Sequence, residues 1–143
     1  MRRQRVPIMA LAAVLLVAAC VTLKPGSDPV LVNAEKGLSI STDSLDALFK
    51  ADYQLGSTID ANSSAWKGQV NALRLQAPPT LNAANAAVKA YRAALALFRA
   101  DPTQITQAQL NALASDLGAK VVAAVELGQQ AAKVAATAPG GVK

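Results

Sequence analysis

The sequence predicts an all-α protein, an antiparallel three-helix bundle at residues 42–137 that follows a cleaved signal peptide and a flexible tether. Apolar residues recur at steps of three and four over this range, which is the period of amphipathic helices. Pro78-Pro79 and Asp101-Pro102 divide the range into three segments. Short connections of this kind are typical of helices that run antiparallel to their neighbours.

The N-terminus has the three parts of a secretory signal. Arg2, Arg3 and Arg5 form a basic start, and an uncharged apolar segment follows at residues 8–16. Small side chains then stand before a cleavage point. The apolar stretch is shorter than the ~20 residues that a membrane-spanning helix needs. We therefore expect a signal peptide at residues 1–19 rather than a lasting transmembrane anchor.

The segment Val17-Ala18-Ala19-Cys20 holds the single cysteine of the chain. Its order of aliphatic, small, small, Cys resembles the lipobox of bacterial lipoprotein precursors, and the resemblance covers only the leader and this cysteine. It implies cleavage between Ala19 and Cys20, a thioether-linked diacylglyceryl group on Cys20, and a further acyl chain such as palmitate on the new amine. Several acyl chains, at ~0.8 kcal/mol per buried methylene, make a lasting anchor. The alternative is an inert cysteine buried in an apolar helix.

Val21 would be the second residue of the mature protein. In Gram-negative lipoproteins an Asp at this position favours retention in the inner membrane. The resemblance therefore implies that the protein is anchored in the outer membrane and faces the periplasm, with the inner membrane as the alternative.

Loss of the leader changes the charge of the chain. The full sequence has a net charge of +5, but three of its 14 basic residues leave with the leader. The mature chain then has eleven basic and nine acidic residues. The remaining basic residues are spread singly along the chain. Nucleic-acid binding needs a clustered basic face, so we expect no nucleic-acid partner.

Residues 20–41 are predicted to be the lipidated N-terminus and tether, because Pro25, Gly26, Pro29 and Gly37 interrupt any regular pattern.

The first helix is predicted to begin at Thr42, with Ser41 or Thr42 as its N-cap, and to end near Gln76. A break at residues 60–64 is the alternative, because Asn62-Ser63-Ser64 weakens the helix. Asp52 and Asn62 interrupt the apolar stripe. Either could fix the helix register if buried, but we expect both to turn toward solvent.

The second helix is predicted to begin at Pro79, since proline suits the first turn of a helix. The third begins after Thr106, where Gln109 completes a possible capping box. Small residues at Gly128 and Ala131 allow close approach by a partner helix. Residues 138–143 are predicted to form a loose tail.

Five aromatic side chains lie on or beside the apolar stripes, and we expect them to fill the core rather than form a ligand cage or a membrane-surface belt. They are Phe49, Tyr53, Trp66, Tyr91 and Phe98.

Enzyme chemistry finds little support in the sequence. The chain has no histidine, the commonest general base and metal ligand, and Cys20 is expected to be consumed by lipid. Four carboxylates on the first predicted helix match no metal-binding loop; they are Asp43, Asp46, Asp52 and Asp60. We therefore expect no catalytic residue, no metal and no cofactor.

These features predict a lipid-anchored envelope protein with a structural, scaffold or adaptor role, and an envelope protein as its partner. One alternative is a helical module that binds a small apolar ligand, with Ala84, Gly128 and Ala131 leaving a cavity. Another is a lysis lipoprotein similar to phage spanins. Self-association is also possible if the stripes are wider than one bundle can bury.

Overall fold

A computed structural model describes residues 27–56 and 64–139. Three α-helices follow one another in this part of the chain: α1 (Pro29–Leu55), α2 (Ser64–Ala100) and α3 (Gln107–Ala136). The described residues contain no strand, and each helix packs against the other two. The prediction of an all-α three-helix bundle is confirmed. Within the same residues, no helix has an apolar stretch long enough to span a membrane.

Contacts at the two ends of α1 give its direction relative to α2. Asp28, just before α1, accepts a 3.3 Å hydrogen bond from the hydroxyl of Tyr91, toward the end of α2. Asp52, near the end of α1, accepts a 2.7 Å hydrogen bond from Lys67, near the start of α2. The two helices are therefore antiparallel.

The direction of α3 follows from its contacts with both other helices. Trp66, at the start of α2, donates a 2.8 Å hydrogen bond to the carbonyl of Val134, close to the end of α3. Gly37 of α1 lies against Val121 of α3, and Ser41 of α1 lies against Gly128 of α3. These contacts follow the same order along both helices. α3 is thus antiparallel to α2 and parallel to α1, which completes the predicted up-down-up arrangement.

α1 begins at Pro29, well before the predicted start at Thr42, so the tether prediction is wrong for residues 29–41. The Oδ1 atom of Asp28 accepts hydrogen bonds from the backbone N–H groups of Val30 and Leu31, at 2.9 and 3.1 Å. An N-cap of this kind satisfies free donors of the first turn. Pro29 occupies that turn, where its missing N–H costs little.

Ser41 and Thr42, the predicted N-caps, lie inside α1. Their hydroxyls donate to the carbonyls of Gly37 and Leu38, four residues earlier, at 2.8 and 2.9 Å. A hydroxyl within a helix commonly makes this bond. Ser41 and Thr42 therefore lie in the interior of α1 and do not cap its start.

The boundary between α1 and α2 also differs from the main prediction. α1 ends at Leu55 and α2 begins at Ser64, so the prediction of a single helix from Thr42 to Gln76 is wrong. The alternative placed a break at residues 60–64, but α1 already ends at Leu55, and residues 60–63 are not described. Asp60 and Asn62 lie outside the described residues.

Pro78 and Pro79 lie inside α2, where the sequence predicted a helix boundary. Both side chains are on the exposed face, while Ala77 beside them is buried in the core. A proline removes one backbone hydrogen bond, and on a solvent-facing side water can satisfy the carbonyl that is left free. Burial of the opposite face of α2 therefore outweighs the local cost of the two prolines.

α3 begins as predicted. The Thr106 hydroxyl accepts from the N–H of Gln109 at 3.2 Å, and the Gln109 side chain accepts from the N–H of Thr106 at 2.8 Å. This reciprocal pair is the capping box. The helix ends at Ala136, one residue before the predicted limit of the bundle.

The buried side chains form two clusters along the bundle. One lies around Leu117 and Tyr91, toward the start of α1, and the other around Leu48 and Val70, toward its end. Leu81 packs against both clusters. The core is therefore continuous from one end of the bundle to the other.

The aromatic residues follow the core prediction with one exception. Trp66 and Tyr91 are buried, and Phe49 and Phe98 are half-buried. Tyr53 is 88% exposed, so its predicted place in the core is wrong. It lies on α1 next to the buried Asp52 and points away from the bundle.

Candidate functional site

A groove runs between α1 and α2, because these two helices pack less extensively against each other than either does against α3. Its volume is about 340 Å³, and it is open along the surface. We call it the α1–α2 groove. It is lined by Glu35, Leu38, Ser39, Thr42, Leu81, Asn85, Val88, Lys89 and Arg92.

The groove has an apolar floor and polar walls. Leu38 and Val88 of the floor belong to the buried core, and Leu81 is half-buried. The walls carry hydroxyl, amide and cationic groups and the Glu35 carboxylate. Among the described residues no carboxylate lies within ion-pair distance of the Lys89 ammonium. This combination is suited to holding an amphipathic segment that brings an acidic group.

An ion pair closes the groove at the end nearer the start of α1. Arg92 of α2 donates to the Glu35 carboxylate of α1, and both side chains are more than half exposed. Such an exposed pair contributes little to stability. It does place one positive and one negative group across the groove at this end.

A second charge cluster joins α1 to α2 beyond the other end of the groove. The two oxygens of Asp52 accept from Lys67 Nζ at 2.7 Å and from Arg74 Nη2 at 2.8 Å. Arg74 also stacks on Phe49, with its guanidinium carbon 5.2 Å from the ring centroid. A carboxylate with a hydrogen-bonded cation at each oxygen has a defined position and orientation. We call these four residues the Asp52 cluster.

The Asp52 side chain is buried, which corrects the expectation that it turns to solvent. Burial alone raises its pKa, but the hydrogen bonds and positive charges of Lys67 and Arg74 together outweigh burial and hold the pKa below its ordinary value. Asp52 is therefore ionised at neutral pH. Its burial agrees with the alternative that the sequence offered, and its role in fixing the helix register stays a prediction.

Of the other predicted positions, those within the described residues are not brought together into one site. Ala19 and Cys20 lie outside the described residues, as does Asp60. Asp43 is exposed, and Asp46 pairs with Lys50 on the surface of α1 at 2.6 Å. No group of three potential metal ligands occurs within residues 27–56 and 64–139.

The small residues proposed to leave a ligand cavity are Ala84, Gly128 and Ala131, and all three are buried. At Gly128 an added Cβ would lie 2.7 Å from the Ser41 Cα, so the backbones of α1 and α3 are in contact there. These residues close the bundle rather than open it. The prediction that Gly128 permits close approach of a partner helix is confirmed.

Sequence reasoning did not find the α1–α2 groove. Glu35 and Leu38 fell within the predicted tether, so one wall of the groove was missing from the predicted bundle. The spacing of Leu81, Asn85 and Arg92 on α2 was the available signal, since residues four and seven apart share a helix face.

No protein-family model, curated protein or solved structure matches the chain.

Proposed function

We propose that this protein is a lipid-anchored component of the bacterial cell envelope that acts by binding another envelope protein, as a scaffold or adaptor and not as an enzyme. The observation that carries the proposal is Val17-Ala18-Ala19-Cys20 after a basic and apolar leader. Val21 after the lipidated cysteine favours the outer membrane, with the bundle facing the periplasm.

The α1–α2 groove supports the binding part of the proposal. Its apolar floor offers area for burial, and Lys89 offers a cation without an ion-pair partner among the described residues. A partner segment with an apolar stripe and an acidic side chain complements both features.

Lipidation is tested by expressing the full chain in a Gram-negative bacterium that is fed a clickable fatty acid. We expect the label on the wild-type protein and none on Cys20→Ala. The intact mass of the purified wild-type protein should correspond to a chain that starts at Cys20 and carries acyl groups. A retained leader or a free Cys20 thiol would refute the anchor.

Partner binding is tested with a photo-reactive residue at Asn85 in the groove and, as a matched control, at Gln129 on the exposed face of α3. We expect one envelope protein to be captured reproducibly from Asn85 and not from Gln129. Lys89→Glu should reduce that yield several-fold, whereas Lys120→Glu should leave it unchanged. Equal capture from both positions, or no capture, would exclude the groove as the binding site.

The alternative of a small-ligand module gains less from the structure. The volume of the groove falls within the usual range for ligand sites, but such sites enclose most of their ligand, and this groove is open. Gly128 is packed against Ser41 and leaves no space for a ligand. No contact of the bundle specifically favours a spanin-like role.

A further inference from the structure

The start of α1 is held in place by two elements. Asp28 caps α1 through its Oδ1 atom, and its Oδ2 atom accepts from the Tyr91 hydroxyl of α2. The position of Asp28 along the bundle is therefore defined. Only residues 21–27 separate it from Cys20.

This separation limits how far the bundle can stand from a lipid on Cys20. Eight residue steps, at ~3.3 Å each, span at most roughly 26 Å. By comparison, the 37 residues of α2 extend over roughly 55 Å at ~1.5 Å per residue. The anchor therefore reaches one end of the bundle and not the other.

The connection between α2 and α3 projects beyond the start of α1. Tyr91 is level with Asp28, and α2 continues from there to Ala100, which adds roughly 13 Å at ~1.5 Å per residue. The lipid on Cys20 can thus lie at most about 13 Å beyond this end of the bundle. We call residues 97–105 the α2–α3 tip.

The chemistry of the α2–α3 tip suits a lipid headgroup surface. Leu97 is 49% exposed, whereas Phe98 and Ile105 are half-buried against the core. Arg99 follows Phe98 in sequence, and Asp101 gives the tip one charge of each sign. Partly exposed apolar side chains next to a basic group are the residues that interfacial segments use. The turn itself is well held, because Asp101 accepts from the backbone N–H and the hydroxyl of Thr103, at 3.0 and 2.7 Å.

We propose that the α2–α3 tip is the membrane-facing end of the bundle and rests against anionic and zwitterionic lipid headgroups. The opposite end, with Trp66 and the Asp52 cluster, is then directed away from the bilayer. This inference rests on the proposed lipidation of Cys20.

The test uses the full-length lipidated protein in vesicles of phosphatidylethanolamine and phosphatidylglycerol that contain a headgroup-labelled acceptor. A donor dye is attached to Gln104→Cys in the tip or to Ala136→Cys at the opposite end. Each new cysteine is the only free thiol when the Cys20 sulfur carries lipid. We expect several-fold more efficient energy transfer from position 104 than from position 136.

A second variant tests the role of tether length. Twenty Gly/Ser residues inserted between Lys24 and Pro25 should reduce the difference between the two positions. Equal transfer, or greater transfer from position 136, in protein whose mass shows a lipidated Cys20 would overturn the orientation alone. An unlipidated Cys20 would overturn both the orientation and the proposed function, and an insertion without effect would refute the tether as its cause.

Discussion

Asp52 brings a negative charge into the interface between α1 and α2, where Lys67 and Arg74 hold both of its oxygens. Its removal leaves two neighbouring cations without their counter-charge. Breaking a buried ion pair costs about 3–5 kcal/mol. Because both cations are partly exposed, we expect Asp52→Ala to lower the free energy of unfolding by about 2 kcal/mol. Urea denaturation followed by circular dichroism measures the change.

Asp46→Ala is the matched control for this substitution, since Asp46 pairs with Lys50 on the exposed face of the same helix. We expect no measurable loss of stability from it. If the two substitutions cost the same, the Asp52 cluster has no special role in joining the helices.

The lowered pKa of Asp52 makes part of the stability depend on pH. A carboxyl whose pKa is lower in the folded state stabilises the fold above its unfolded pKa of about 3.9, and this contribution disappears as the pH falls through the folded value. We therefore expect wild-type protein to exceed Asp52→Asn in stability at pH 7 and to lose that advantage below about pH 3.9. Denaturation curves of both proteins from pH 7 to pH 2 test this.

Asp101 also has a lowered pKa, because Thr103 donates to it from both its hydroxyl and its backbone N–H. The stability of Asp101→Asn, measured over the same pH range, therefore provides a second comparison with the wild-type protein. If the stability difference between the wild-type protein and Asp52→Asn stays constant from pH 7 to pH 2, that result would contradict the ionised, paired state of Asp52.

At the scale of the helices, we expect alanine substitutions at two glycines of α3 to change stability in opposite directions. An alanine Cβ at Gly128 would lie 2.7 Å from the Ser41 backbone, whereas at Gly118 it would meet nothing within 4 Å. Gly128→Ala forces α1 and α3 apart and should destabilise the protein by about 1–3 kcal/mol. Gly118→Ala should stabilise it by about 0.5–1 kcal/mol, because alanine is the better helix former.

Thermal and urea denaturation of the two variants provide the comparison, and each variant is the control for the other. Stabilisation by both substitutions would show that α1 and α3 do not touch at Gly128.

The start of α3 could be predicted from sequence because its signal is local. Thr106 and Gln109 satisfy each other's backbone groups, and no other part of the chain is needed to form that pair. Asp28 followed by Pro29 is also a local signal for the start of a helix. The neighbouring Pro25 and Gly26, however, favour a tether in the same region. The signal for the start of α1 is therefore present in the sequence, at Asp28 and Pro29.

Pro78 and Pro79 show a limit of a different kind. Two adjacent prolines carry a strong local preference against helix continuation. Burial of Val70, Ala77 and Ala84 on one continuous face of α2 offsets the cost of the two prolines. That burial requires α1 and α3 to be in place. Tertiary packing of this kind cannot be read from a window of neighbouring residues.

At the scale of the whole molecule, the all-α class followed from periodicity, whereas the α1–α2 groove did not. The up-down-up order is as predicted, although the first connection lies between Leu55 and Ser64 and not at Pro78-Pro79. The groove depends on how far α1 stands from α2, and that distance is set by contacts of both helices with α3. Asp52 meets Lys67 and Arg74 only once the break between α1 and α2 is placed correctly. The candidate site is therefore a property of the assembled bundle.

Leu81 links the two ends of the bundle, because it packs against both core clusters. In the wild-type protein we expect one cooperative transition. The fluorescence of Trp66, the single tryptophan, reports on the end of the bundle where its indole N–H bonds the Val134 carbonyl. Its transition should coincide with that of the total helix content measured by circular dichroism.

Leu81→Ala removes the shared contact and should lower stability by about 2 kcal/mol, since the side chain is only half-buried. We also expect the fluorescence and circular dichroism midpoints to separate, because each cluster then unfolds with less dependence on the other. Leu75→Ala is the control, as that side chain is 79% exposed on the same helix. Coincident midpoints in Leu81→Ala would mean that the helices themselves, and not Leu81, couple the two clusters.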